Sequence, residues 1–133
     1  MRSNFIGQSL HTIDPKNRLF IPPKFRDALK DEGKNHFILT TVLGDCLSMF
    51  LPSEWDRIVA KLDQENVPNK EQLRVTKRLL FANATEVEVD GQGRVLLPQL
   101  LKDEAGLKKE VLINGAANKV ELWDKKQWEA FKK

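Results

Sequence analysis

The chain has 133 residues, of which 41% are hydrophobic and 31% charged, a balance that excludes a disordered polymer and suffices for one core burying roughly two thirds of the unfolded surface. Its formal charge of +3 and pI near 9.0 are compatible with a polyanionic partner without demonstrating one. A lone cysteine, Cys46, excludes an intrachain disulfide, and apolar runs of at most three or four residues exclude a membrane-spanning helix.

The N-terminal residues show no apolar run of the signal-peptide kind, so a soluble protein of a reducing compartment is expected. Charge is unevenly placed. Met1 to Lys30 carries six Lys and Arg against two Asp and Glu, Asp31 to Asn66 three against seven, and Val67 to Lys133 thirteen against ten.

In chain order, an apolar stretch leads to Asp14-Pro15-Lys16-Asn17-Arg18, a predicted hairpin turn. Pro sets φ for the second turn position, Asp accepts bonds from the backbone beyond it, and Asn tolerates a left-handed conformation. Pro22-Pro23-Lys24-Phe25-Arg26 then predicts a short helix begun by proline, whose missing N–H costs nothing in a first turn. The run from Cys46 to Phe50 reads as strand. Ser53-Glu54-Trp55-Asp56 predicts a capping box for a helix with Trp55, Ile58, Val59 and Leu62 on one face. Asn69-Lys70-Glu71-Gln72 opens a connecting helix that buries Leu73 and Leu80 and leaves Arg74, Lys77 and Arg78 wet.

Glu86-Val87-Glu88-Val89 alternates with the period of a half-buried strand. Asp90-Gly91-Gln92-Gly93-Arg94 predicts a second turn, Pro98-Gln99-Leu100-Leu101 a second proline-started helix, and Asp124 a cap for a helix bearing Trp128 and Phe131.

The chain is therefore written twice. Asp14 to Pro22 aligns without gaps on Asp90 to Pro98, both reading Asp, three residues, Arg, three apolar residues, Pro. Downstream, Cys46 to Phe50 aligns on Lys119 to Trp123, and Trp55-Asp56 on Trp128-Glu129. A mainly β, α+β single domain over 1–133 is expected, with an N-terminal repeat over 5–66, a connecting helix over 67–82 and a C-terminal repeat over 83–131. Two halves of about four short strands each cannot bury their apolar faces alone, which favours one barrel built by both.

Catalytic chemistry finds little here. His11 and His36 are the only histidines, and neither stands at zinc spacing with the other or with Cys46; no phosphate-binding glycine loop occurs. Asp31-Glu32 and Asp103-Glu104 read as solvated charges and Cys46 as a core thiol. No catalytic residue, metal, cofactor or small-molecule substrate is expected. Each Asp-x-x-x-Arg pair has two readings: a latch that closes its own turn by a charge-assisted bond, which physics alone favours, or a projecting arginine that contacts DNA. Lys16, Lys24, Arg26 and Lys30 put positive charge around Arg18, whereas Glu86, Glu88 and Asp90 surround Arg94. Arg can read guanine bidentately in the major groove while Lys sets register on phosphates.

With these residues in view, the chain resembles the MraZ family of bacterial transcriptional regulators, related to AbrB-type swapped-hairpin DNA-binding domains. The resemblance covers Phe5 to Phe131 and is most specific at His11-Thr12-Ile13-Asp14 with Arg18, at Ile21-Pro22 and Lys24-Phe25-Arg26, and at Asp90 to Arg94 with Leu97-Pro98. Asn17 stands where the family's motif usually has Gly, Pro23 where a small residue is typical, and Ala82-Asn83 where a Ser-Gly pair is typical. The resemblance implies a pseudo-twofold double swapped-hairpin β-barrel with peripheral helices. It further implies homo-oligomeric rings, an octamer among the forms, that bind short direct repeats in double-stranded promoter DNA and repress the operon for cell division and cell-wall synthesis. A cytoplasmic, nucleoid-associated location follows from the same resemblance. Within it Arg18 is the DNA-contacting arginine. Around it Lys16, Lys24 and Arg26 are expected to place phosphates, Asp14 and Asn17 complete the candidate DNA-binding set, and Arg94 is a second candidate for which a structural or subunit-contact role is favoured. The alternative is an oligomeric protein-interaction scaffold without specific DNA binding.

Overall fold

The computed structural model describes residues 4–41, 44–63 and 69–133. The first half reads β1 Gln8–Thr12, β2 Arg18–Phe20, α1 Pro23–Asp31, β3 His36–Thr40, β4 Leu47–Phe50 and α2 Pro52–Leu62. After α3, Lys70–Asn83, the same order returns as β5 Thr85–Glu88, β6 Arg94–Leu96, α4 Gln99–Glu104, β7 Glu110–Gly115, β8 Val120–Asp124 and α5 Lys125–Lys132. The expected boundary between first repeat and connecting helix, at 66 and 67, lies outside the described residues.

All pairs among the described strands are antiparallel. Six strands form one sheet in the order β1-β7-β8-β4-β3-β5, and β2 pairs with β6 in a separate ribbon. Replacing every strand by its counterpart in the other half turns this order into its own reverse, so a pseudo-twofold axis relates the halves between β4 and β8 and between β2 and β6.

Two expectations are corrected by this pairing. The strands beside each Asp-turn-Arg segment do not pair as a hairpin: β1 lies against β7, with Gln8 opposite Asn114 and Thr12 opposite Glu110, and β5 lies against β3. Nor do the described strands close a barrel, since β1 and β5 are the edges of an open sheet. Proline supplies the reason. Pro22 and Pro98 have no N–H to donate, so β2 and β6 end after three residues, too short for a long hairpin with β1 or β5, and they pair with one another.

Sheet and ribbon share one core. Along β2 the side chains alternate, with Leu19 buried, Phe20 exposed and Ile21 buried, and β6 repeats this with Val95, Leu96 and Leu97. The inward residues join Leu39, Leu47, Met49, Val111, Ile113 and Leu122 of the sheet, Phe25 and Leu29 of α1, and Leu101 of α4. Each such side chain, taken from water, contributes about 1.5–3 kcal/mol before chain entropy is subtracted.

The helices begin largely as their sequences predict. Pro22 and Pro98 are N-caps of α1 and α4. Asn69 Oδ1 accepts the Gln72 N–H at the start of α3, and Asp124 accepts from Lys126 and Gln127 at the start of α5. The capping box predicted for α2 is not formed. Leu51 is its N-cap and Pro52 its first residue, which carries Ser53 past the capping place; its hydroxyl instead donates to Glu32. Trp55 still packs between Phe50 and Phe81, with centroids 5.9 and 5.6 Å away. Trp128 sits between Trp123 at 5.2 Å and Phe131 at 5.4 Å.

Candidate nucleic-acid interface

Both turns are closed by the same set of bonds. In the first, Asp14 Oδ1 accepts the backbone N–H groups of Lys16 and Arg18, each at 2.9 Å, and Oδ2 accepts Arg18 Nε at 2.7 Å. In the second, Asp90 Oδ1 accepts from the N–H groups of Gln92 and Arg94 at 2.9 Å, and Oδ2 accepts Arg94 Nε at 3.0 Å. The Arg18 N–H, foremost, together with its guanidinium and the Lys16 N–H, holds the Asp14 carboxyl below the ordinary carboxylate value, and Arg94 and Gln92 do the same to Asp90. The latch is thus present in both turns. It engages Nε and does not use the Nη nitrogens, so latching and reading are compatible roles for one arginine.

The latch fixes where each arginine points. Arg18 lies opposite Leu96 and Phe20 opposite Arg94 across the ribbon, and the inward positions are Leu19 and Val95, so both arginines stand on the ribbon's outer face beside exposed Phe20 and Leu96. Lys16 is exposed at the tip of the first turn. Lys24, on α1, directs Nζ toward the Gln8 carbonyl at 3.5 Å and over the Phe25 ring.

Arg26 is placed differently from a free surface cation. Its Nε donates to the Ile21 carbonyl at 2.7 Å, and its guanidinium lies 5.5 Å from the Phe20 ring centroid. It also covers Gly93, whose φ is +80°: a Cβ there would meet Arg26 Cζ at 2.9 Å. The acid next to it in sequence, Asp27, pairs with Lys30.

By the internal symmetry, Asn17 is the counterpart of Gly93 and Lys102 that of Arg26. Asn17 has φ +64°, its Oδ1 accepts Lys102 Nζ at 2.7 Å, and its Nδ2 donates to Gln99 Oε1 at 3.1 Å. Each half therefore sends a cation from its proline-started helix onto the left-handed residue of the other half's turn. Reading the sequence missed Lys102 and Gln99, because each contact joins residues more than eighty positions apart and no local pattern announces it.

Other reactive groups are accounted for within the scaffold. Burial pushes the Cys46 thiol up to about 12, with Glu121 and Asp45 adding to it. His11 meets Ser9 Oγ at 2.6 Å and packs on Phe20, while His36 lies 4.0 Å from Glu86. Among the described residues, no group of three or more His, Cys, Asp or Glu is arranged to hold a metal ion, and no helix is long and apolar enough to cross a membrane.

Comparison with known proteins adds an independent finding. The family described as "MraZ protein, putative antitoxin-like" matches residues 5–78 and again 80–133. A protein of Acetivibrio thermocellus named transcriptional regulator MraZ is 44% identical over 127 residues, which cover 96% of this chain and 85% of that protein. Proteins of the same name from Pelotomaculum thermopropionicum and Hydrogenovibrio crunogenus are 42% and 41% identical, over 96% and 95% of this chain and 85% and 83% of their own lengths.

Proposed function

Because the chain belongs to the MraZ family, we propose that it is a sequence-specific DNA-binding transcriptional regulator that represses the division and cell-wall operon, its own gene included. The observation that carries this reading is the pair of latched Asp-x-x-x-Arg turns, which present Arg18 and Arg94 on one outward ribbon face. Arg18 reads base edges with its Nη nitrogens, Lys16 and Lys24 take phosphates, and Asp14 and Asn17 hold the turn in shape. Arg26 belongs to the scaffold that shapes the second turn, since its Nε and its guanidinium face are already engaged. Arg94, beside the exposed Glu86 and Glu88 of β5, serves structure or a subunit contact.

The exchange of β1 and β5 between the halves supports a double swapped-hairpin description of the fold. One ribbon face makes few contacts, so tight binding calls for several copies in a ring reading short direct repeats, where linkage raises avidity without new contacts. Its place of work is the cytoplasm, at the nucleoid.

The test is fluorescence anisotropy of the full chain on a labelled duplex from its own upstream region and on a scrambled duplex. A lost bidentate contact costs about 1–3 kcal/mol, or roughly 5- to 150-fold in discrimination. Arg18→Ala is expected to lose preference by that factor while remaining folded. Equal, weak binding of both duplexes by the wild type would refute the reading and favour a protein-interaction scaffold, for which exposed apolar side chains such as Ile6, Leu96, Leu100 and Phe131 offer surface.

A further inference from the structure

Two short segments bring four lysines together, far in sequence from the first turn. Lys108 and Lys109 precede β7, and Lys125 and Lys126 open α5; with Thr12 and Glu110 they line a cleft of about 540 Å³. Asp124 lies in the same wall, but its carboxylate is occupied by backbone, accepting the N–H groups of Lys108, Lys126 and Gln127. Glu110 meets Lys125 only at 3.9 Å, and the two side chains are 51% and 40% exposed. Four lysines thus line the cleft against one capping carboxylate and one loosely paired one.

The cleft adjoins the first turn. Thr12 is opposite Glu110, the Ile13 N–H donates to the Lys109 carbonyl at 2.8 Å, and the next residue is Asp14, which latches Arg18. At the pseudo-equivalent place beside the second turn, Val89 N–H donates to the Asn35 carbonyl. There Lys34 and Asn35 stand for Lys108 and Lys109, Pro52 and Ser53 for Lys125 and Lys126, His36 for Glu110 and Glu88 for Thr12, so one of the four cations is kept and three are lost. A cleft on that side that includes two of these counterparts, His36 and Pro52, is lined also by Trp55, Asp56 and Glu86. The scaffold is twofold and its charge is not.

We infer that Lys108, Lys109, Lys125 and Lys126 form an anion-binding cleft that takes phosphates of the DNA strand running past the Arg18 turn. This rests on the DNA-binding reading and deepens it: phosphate contacts set register and carry no sequence information, so the cleft supplies affinity and direction while Arg18 supplies discrimination. The position of the lysines puts these phosphates on the Arg18 side of the ribbon face that both arginines share.

The experiment compares wild type, Lys108→Gln/Lys109→Gln, Lys125→Gln/Lys126→Gln and Arg18→Ala on the same two duplexes across a salt series, with circular dichroism and elution volume as checks of fold and assembly. Each lysine pair is expected to weaken both duplexes by one common factor and to reduce the log–log salt slope by about 1.8, two contacts at about 0.9 each. The ratio between duplexes stays at the wild-type value, whereas Arg18→Ala changes the ratio. Wild-type affinity and slope in both lysine pairs would overturn the inference, as would a lost ratio with an unchanged slope. A parallel titration of the four lysine amides with inorganic tripolyphosphate, followed by NMR, separates this claim from the one it rests on. Shifts confined to the cleft with no duplex preference leave an anion site and remove the repressor reading; unmoved amides with an intact duplex preference do the reverse.

Discussion

Gly93→Ala tests the contact between the halves that shapes the second turn. At φ +80°, any Cβ brings a backbone cost of roughly 1–2 kcal/mol. The added carbon would also lie 2.9 Å from Arg26 Cζ and Nε, so the guanidinium must swing away from the Ile21 carbonyl and the Phe20 ring. A hydrogen bond from a charged group is worth about 1.5–3 kcal/mol and an exposed cation–ring contact about 0.5–1; water recovers part of both. The expected loss is about 2–4 kcal/mol in urea unfolding at fixed protein concentration, since self-association would otherwise shift the midpoint. In an Arg26→Ala background the collision is gone, and the same change should cost only the backbone part. Equal costs in both backgrounds would refute the argument that Arg26 packs on this glycine, and a cost below about 0.5 kcal/mol, the range of a neutral surface change, would refute the strain as well.

Three further outcomes are expected. Asp14 has a folded-state pKa below the ordinary 3.8, so its latch stabilises the turn above the unfolded value and is lost as pH falls through the folded one; the Lys16 and Arg18 amides should titrate with a midpoint under 3.8, and a midpoint at or above it contradicts the latch. Cys46, held at about 12, should react with a thiol dye at pH 8 on the order of a thousandfold more slowly in the native protein than in denaturant, and labelling within tenfold of the denatured rate would show that the thiol is accessible. Leu19→Ala removes a fully buried side chain shared by ribbon and sheet and should cost about 2–5 kcal/mol in chemical unfolding; a loss under 1 kcal/mol would mean that the ribbon does not seal the core.

What the sequence makes legible is what it encodes locally. The order of elements follows from the repeat, the left-handed residues from Asn17 and Gly93, and helix starts from Pro22, Pro98, Asn69 and Asp124. Ser53 misled because a neighbouring proline competes for the first helical position. Strand partners were hidden: an Asp-turn-Arg segment flanked by apolar runs looks like a hairpin, and nothing in β1 says that its neighbour is β7. The same blindness affected the candidate site, where Asp14 and Arg18 are readable as a pair but Lys102 reaches Asn17, and Arg26 reaches Gly93, only after the halves interlock. Local charge counting found Lys16 and Lys24 and could not find lysines folded in from ninety residues downstream.

The placement of β1 beside β7 sets a timetable for synthesis. Gln8 hydrogen-bonds Asn114 across 106 positions, and ribosomes add roughly 5–20 residues per second. Strand β1 of each new chain therefore waits roughly 5–20 s for its neighbour, and the β3–β4 hairpin likewise waits for β5 and β8 at its edges. During that interval a β7 strand from an adjacent nascent chain meets the same geometry, and intertwined copies compete with correctly folded chains wherever one message is read by closely spaced ribosomes.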